Sequence, residues 1–341
     1  MNFKKIVLDD MVRCYCASSI IVNGELNVIL ASEEIDGPCY AYSGNDFSKK
    51  TVIWEKAGGT MSFVPVPNTN GEFLAVQKFF PGFKSEGAKI VWGRYDDKQG
   101  WIIQDLIHLP FVHRFEILQS NDELYLIAAT LCGSKKDRED WSDPGKVYVA
   151  KLPANLNNPI NLEVLAENLT KNHGFWKVKN QSHDYCYITS DEGIFEIHPP
   201  SAENGWSINN IMQKPVSEVA VFDLDEDGTN EFITIEPFHG DTINIYKNNN
   251  IVYTYPNKIN FAHTLWAGLV RGKPMAFGGI RRENMELFYI TYDKESNAYI
   301  STVLEQGGGP ANLCVVNTPD YDILVCANHT KNEAALYLIT D

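Results

Sequence analysis

The fold turns on four short stretches at the two ends of the chain: NLCVVNT (312–318), DILVCAN (322–328), ALYLIT (335–340) and, far from them in sequence, FKKIVL (3–8). Each is a run of β-branched, aromatic and other apolar residues flanked by turn-forming residues, the signature of a strand. The three C-terminal runs form a meander that lacks a fourth member. FKKIVL is a strand with no meander of its own.

Further into the chain the same kind of run recurs, and the runs group in fours. The groups cover 13–55, 59–109, 111–167, 173–212, 216–256 and 261–305, and the seventh opens at Gly309 with three runs only. Two stretches, 162–168 and 208–213, carry a weak helical period instead. Seven groups in 341 residues come to about 49 residues each. That count and spacing predict an all-β, seven-bladed β-propeller, one domain over 1–341, its ring closed by the N-terminal strand pairing in the last blade. The closure removes an open sheet edge. A pair of β-sandwiches would use as many short strands, but would not leave a three-strand remainder matched by one lone strand.

The composition narrows the function. With 29 Lys+Arg against 44 Asp+Glu the net charge is −15, so phosphate backbones and anionic membrane surfaces are repelled. Nucleic acid and membrane are therefore not expected partners. Asp9, Asp10 and Arg13 interrupt the apolar residues near the N-terminus, which argues against both a signal peptide and a membrane span. The seven cysteines include no CxxC pair and read as reduced, mostly buried thiols. A cytoplasmic protein is the expectation.

One motif suggests a hard cation. In VAVFDLDEDGTNEFITI (219–235), Asp223, Asp225, Asp227 and Glu231 set alternating carboxylates around a turn opened by Gly228, and Thr229 offers a backbone carbonyl. This is a candidate structural calcium loop, with an acidic turn that needs no ion as the alternative. It joins the first two strands of a blade, which places it on the face away from the usual binding funnel.

Histidine recurs at one position of the repeat: His113 in FVHRFEIL, His173 in KNHGFWKV and His263 in FAHTLWAG, each at the entry to an inner strand. Inner strands line the central channel, so the three rings should meet at its mouth. Loops after the second strand of each blade add Lys78, Lys135, Asp137, Arg138, Asp140, Trp141, His239, Asp241, Arg281, Arg282, Asn328 and His329. Neutral imidazoles suit a divalent metal (Mn, Zn or Mg) acting as a Lewis acid. Alternatively one imidazole serves as a base, with Arg114 or Arg281 facing the developing negative charge. His108, His183 and His198 fall on outer strands or far-side loops and read as structural. Trp54, Trp92, Trp101 and Trp266 read as packing between blades. Trp141, in CGSKKDREDWSDPGK (132–146), either stacks on a sugar ring or pins its loop.

The acidic loop resembles the FG-GAP/VCBS repeat of integrin-like and bacterial propellers. HRFEIL (113–118), LIAATL (126–131), DWSDPGKVYVAKLP (140–153), GGGPANLCVV (307–316) and ANHTKNEAALY (327–337) resemble the propeller domain of aldos-2-ulose dehydratase, and the layout is similar to propeller-type polysaccharide lyases. The resemblance implies a metal-assisted carbon–oxygen lyase acting on a sugar or keto-sugar. Under that hypothesis the residues that the repeat places at the mouth take the roles: His113, His173 and His263 as ligands or base, and Arg114, Trp141, His239, Arg281, Arg282 and His329 as substrate contacts. The dehydratase carries further cupin domains, whereas the propeller is expected to account for all 341 residues here. The alternatives are a non-catalytic propeller that binds a glycan or a protein through the same face, and a hydrolase drawing a carboxylate pair from Glu236, Asp241 and Asp140. The arginines at the mouth favour a small oxygen-rich or anionic ligand despite the overall charge. Oligomeric state is not legible.

Overall fold

A computed structural model describes residues 1–341 except Ser182. Its strands form seven four-stranded antiparallel sheets. Six are built from consecutive strands: blade 1 (14–54), blade 2 (63–108), blade 3 (112–169), blade 4 (175–212), blade 5 (218–254) and blade 6 (262–305). Blade 7 takes Asn312–Asn317, Asp322–Asn328 and Glu333–Thr340 from the C-terminus and Asn2–Asp10 from the N-terminus. The closing pair runs from Asn2 opposite Thr340 to Asp10 opposite Glu333. Lys5 clamps it, its Nζ lying 2.6 Å from carboxylates of both Glu305 in blade 6 and Glu333.

The blades pack face to face, which explains the unbroken apolar runs. Strand Asp322–Asn328 is buried at every position because neighbouring blades cover both its faces. Phe73, Phe115, Phe277 and Phe288 are fully buried between sheets. The Phe288 ring lies over Gly278, where an added Cβ would stand 2.1 Å from it. Outer strands are half solvated, and there sequence reading of local structure fails. Residues 162–168 and 208–213 are not helical: Glu163–Leu169 and Ser207–Met212 are outer strands. Bulges in their pairings with the third strands break the two-residue alternation, and polar exposed positions dilute it further.

Inner strands of three blades begin with a bulge whose extra residue is Tyr15, His113 or His263. A bulge at a strand entrance re-aims one side chain, here toward the axis of the ring. All seven cysteines are free thiols, six of them buried. No described helix is long and apolar enough to cross a membrane.

Candidate functional site

The histidines meet at one mouth of the channel. His113, His173 and His263 are 1–2% exposed. Ring centroids of His113 and His173 are 4.5 Å apart, and those of His173 and His263 are 5.2 Å apart. His239, from the loop after the second strand of blade 5, joins them at 4.9 Å from His173 and 5.1 Å from His263. One ligand atom from each of His173, His239 and His263 lies within 4.8 Å of the other two. The convergent trio thus contains His239, expected only as a substrate contact. His113 flanks it.

The next blade orients two of the rings, His173 and His263, whereas His113 Nδ1 is buried without a hydrogen-bond partner. His263 Nδ1 donates to the Ala311 carbonyl at 2.8 Å. His173 Nδ1 lies 2.8 Å from Glu218 Oε1 and 3.3 Å from the Ser217 carbonyl. Fixing Nδ1–H this way turns the Nε2 lone pair inward, the usual preparation of a metal-binding imidazole. His173 Nε2 is buried with no hydrogen-bond partner, so the site fits a cation that would take that lone pair. Burial holds His113, His239 and His263 well below the usual imidazole pKa, and Arg281 adds to this at His263 and His239. The three rings are therefore neutral at pH 7, ready to ligate or to accept a proton.

A cavity of about 490 Å³ opens above the histidines. Its walls include Phe79, Phe80, Phe83 and Phe261, and its charged residues are Arg13, Arg138, Arg281, Arg282 and Glu33. Glu33 is engaged by His329 at 2.5 Å and by Arg13 at 3.2 Å. Burial would raise its carboxyl pKa, but the His329 hydrogen bond and nearby guanidinium charges bring it below the usual value. His329 also receives Arg281 Nη2 at 2.8 Å. Glu33 and His329 therefore hold Arg281 through a neutral ring. Among the described residues, Arg138, Arg281 and Arg282 form no ion pair, so a chain of net charge −15 presents a locally basic mouth.

Other expected contacts lie elsewhere. Arg114 does not line the cavity: strand alternation turns it from the face of His113, and its guanidinium meets Glu218 at 3.6 Å and the Met61 carbonyl at 3.4 Å. It steadies the carboxylate that steadies His173. Trp141 is also outside the lining. It packs on Phe83 and Phe238 with Lys135 Nζ 3.4 Å above its ring, so its exposed-platform role is taken by loop pinning. The hydrolase carboxylates do not converge at the cavity. Glu236 is held by Thr234, Asn244 and Lys214. Asp140 caps its own loop at Lys136 and Ser142, and Asp241 accepts from Thr242.

Tyr15 was missed by the sequence reading. Its Oη stands 3.3 Å from His113 Nε2 and 3.2 Å from His263 Nε2. The signal was present: Tyr15 lies 98 residues before His113, two repeats of about 49.

The acidic loop is at the far end of blade 5. Glu218, touching His173, opens the inner strand Glu218–Phe222, and Asp223 follows its last residue. Oxygens of Asp223, Asp225, Asp227 and Glu231 converge within 4.8 Å. Lys247 Nζ stands among them, 2.5 Å from Asp225 and 2.8 Å from both Asp227 and Glu231. Thr229 contributes its N–H to Asp227 at 2.9 Å.

No family model matches this chain, and no curated protein matches it significantly in sequence. Solved structures do. The WD40 β-propeller domain of Doa1 superposes with a TM-score of 0.57 at 14% identity, covering 99% of this chain and 97% of that one. The Dos1 propeller gives 0.57 at 7% identity, over 94% and 76%. BBS1N, solved in complex with ARL6DN, gives 0.55 at 8%, over 98% and 94%. At such identities the likeness establishes the seven-bladed β-propeller and nothing finer.

Proposed function

We propose that this propeller is a metal-assisted carbon–oxygen lyase acting on a small oxygen-rich ligand, of the sugar or keto-sugar class, bound at the channel mouth. The observation that carries the reading is the convergence of His173, His239 and His263, with two rings fixed through Nδ1 and a buried Nε2 left unpartnered. A divalent cation held there would polarise a substrate carbonyl and acidify the neighbouring C–H. On this reading His113, buried and neutral beside the trio, accepts that proton. Arg281, which forms no ion pair among the described residues, offers its guanidinium to the enolate-like charge that develops as the proton leaves. Collapse of that enolate would form the carbon–carbon double bond and break the β-carbon–oxygen bond, the departing oxygen taking the proton back from the His113 imidazolium. The phenyl walls present apolar surface to a sugar ring.

The absence of a carboxylate pair from the cavity lining weighs against the hydrolase. A non-catalytic propeller that binds a glycan or protein would show the same arginines and aromatics, but has no use for a convergent imidazole set. On the far face we assign the acidic loop a structural role, with Lys247 as its cation when calcium is absent. The test is incubation of the Mn²⁺- or Zn²⁺-loaded chain with a panel of keto-sugars and sugar acids, following the absorbance of an unsaturated carbonyl product. Turnover that is lost in His113→Ala and His173→Ala supports the lyase. Saturable binding without product across the panel favours the binding module.

A further inference from the structure

The position, distances and surroundings of Tyr15 carry an inference that deepens the metal reading and rests on it. Tyr15 occupies the same bulged entrance of an inner strand as His113 and His263, and the bulge aims all three side chains at one point. Its ring is 3% exposed and lines the cavity. Among the described residues its Oη has two hydrogen-bonding neighbours, His113 Nε2 at 3.3 Å and His263 Nε2 at 3.2 Å. The Nε2 of His263 is the inward one, because Nδ1 is committed to the Ala311 carbonyl.

The separation from His263 matches an edge of a coordination polyhedron. Around a tetrahedral ion with bonds of about 2.0–2.1 Å, neighbouring donor atoms stand roughly 3.3–3.4 Å apart. Tyr15 Oη makes an edge of about that length with His263 Nε2, a member of the converging trio, while its 3.3 Å contact with His113 Nε2 ties the neighbouring base to the same oxygen. The unpartnered His173 Nε2 adds a third buried lone pair to the same pocket. We infer that Tyr15 is itself a donor to the metal, so that the centre is a mixed imidazole–phenolate site. Nitrogen donors with one phenolate oxygen favour Zn²⁺, Cu²⁺ or iron over Mg²⁺, which prefers an all-oxygen shell and retains its waters. The phenolate would also reduce the charge of the bound dication by one.

Copper is the probe, because a phenolate bound to Cu²⁺ produces a visible ligand-to-metal charge-transfer band that imidazole does not. The full chain, without a polyhistidine tag, is titrated with Cu²⁺ and separately with Zn²⁺, alongside Tyr15→Phe and Tyr15→His. The expected result is one equivalent bound by the wild type with the band present. Tyr15→Phe should bind copper without the band and lose at least about tenfold in Zn²⁺ affinity. Tyr15→His places at residue 15 the side chain found at the equivalent position of blades 3 and 6. It should recover Zn²⁺ affinity without the band, which separates a lost donor from a damaged fold. Copper binding by the wild type without the band, with Tyr15→Phe unchanged in Zn²⁺ affinity, would overturn the inference and leave the imidazole site standing. Failure of the wild type to bind either ion would overturn both.

Discussion

Replacing Lys247 by methionine tests how the acidic loop is held. In the native chain its ammonium is shared by Asp225, Asp227 and Glu231. Side-chain exposure is 14% for Lys247, 11% for Asp225 and 0% for Glu231, whereas Asp227 is 52% exposed and screened by solvent. Removing one partner of a buried pair costs about 3–5 kcal/mol. With one carboxylate discounted, the loss falls near the lower end, about 3 kcal/mol. Unfolding entropy of about 2.1 cal/mol/K per residue amounts to roughly 0.7 kcal/mol/K for 341 residues. The melting temperature should therefore drop by about 4 °C if the ring unfolds in one step. The four carboxylates that remain converge well enough to take Ca²⁺. At a hundredfold excess over its Kd, calcium would return about 2.7 kcal/mol and restore nearly all the loss. The assay is thermal denaturation of both proteins with EDTA, Ca²⁺ or Mg²⁺. The wild type should gain little from calcium, because the ion must displace Lys247. A Lys247→Met chain that melts like the wild type in EDTA would refute the reasoning. So would a wild type that gains as much from Ca²⁺ as the variant does, which would make calcium the resident cation.

Three further outcomes follow from the packing and charges. Gly278→Ala drives a methyl group into the buried Phe288 ring, 2.1 Å from the added carbon, and should cost about 1–3 kcal/mol in chemical denaturation, whereas Gly205→Ala, in open space, brings no such clash. Deleting residues 1–10 leaves strand Glu333–Thr340 as an open edge, and size-exclusion chromatography should show association or aggregation. The metal-free chain should lose stability as pH falls below about 6.5. His113, His239 and His263 are lowered in the folded state, so the unfolded chain binds more protons in that range, and the three rings together contribute a slope approaching about 4 kcal/mol per pH unit. Denaturation midpoints between pH 7.5 and 5.5 check the sign, and a midpoint that rises on acidification contradicts it.

Much of the ring was legible because a blade is a local meander and its strands are adjacent in sequence. The runs at 312–340 and the lone strand at 3–8 carried the closure, since only a pairing of the two ends completes a seventh sheet. Outer strands such as Glu163–Leu169 were less legible, because they are half exposed and bulged. The site was legible where a repeat position recurs, as for His113, His173 and His263. Periodicity could have reached Tyr15 as well, but the pattern was read by residue type instead of by position. His239 comes from a loop whose path no periodicity describes, so its approach to His173 required coordinates. Arg114 and Trp141 show the converse: both sit near the mouth in sequence, yet strand alternation turns one to Glu218, and Phe83, Phe238 and Lys135 enclose the other.

The most direct test of the account is a calorimetric titration of the tag-free, EDTA-stripped chain with Zn²⁺ and Mn²⁺, repeated on His173→Ala and His239→Ala. The account predicts one equivalent of divalent ion bound by the wild type and lost in both variants, with circular dichroism unchanged. A wild type that binds neither ion, or binds it equally well without His173 and His239, would contradict the claim that the channel mouth is a metal centre.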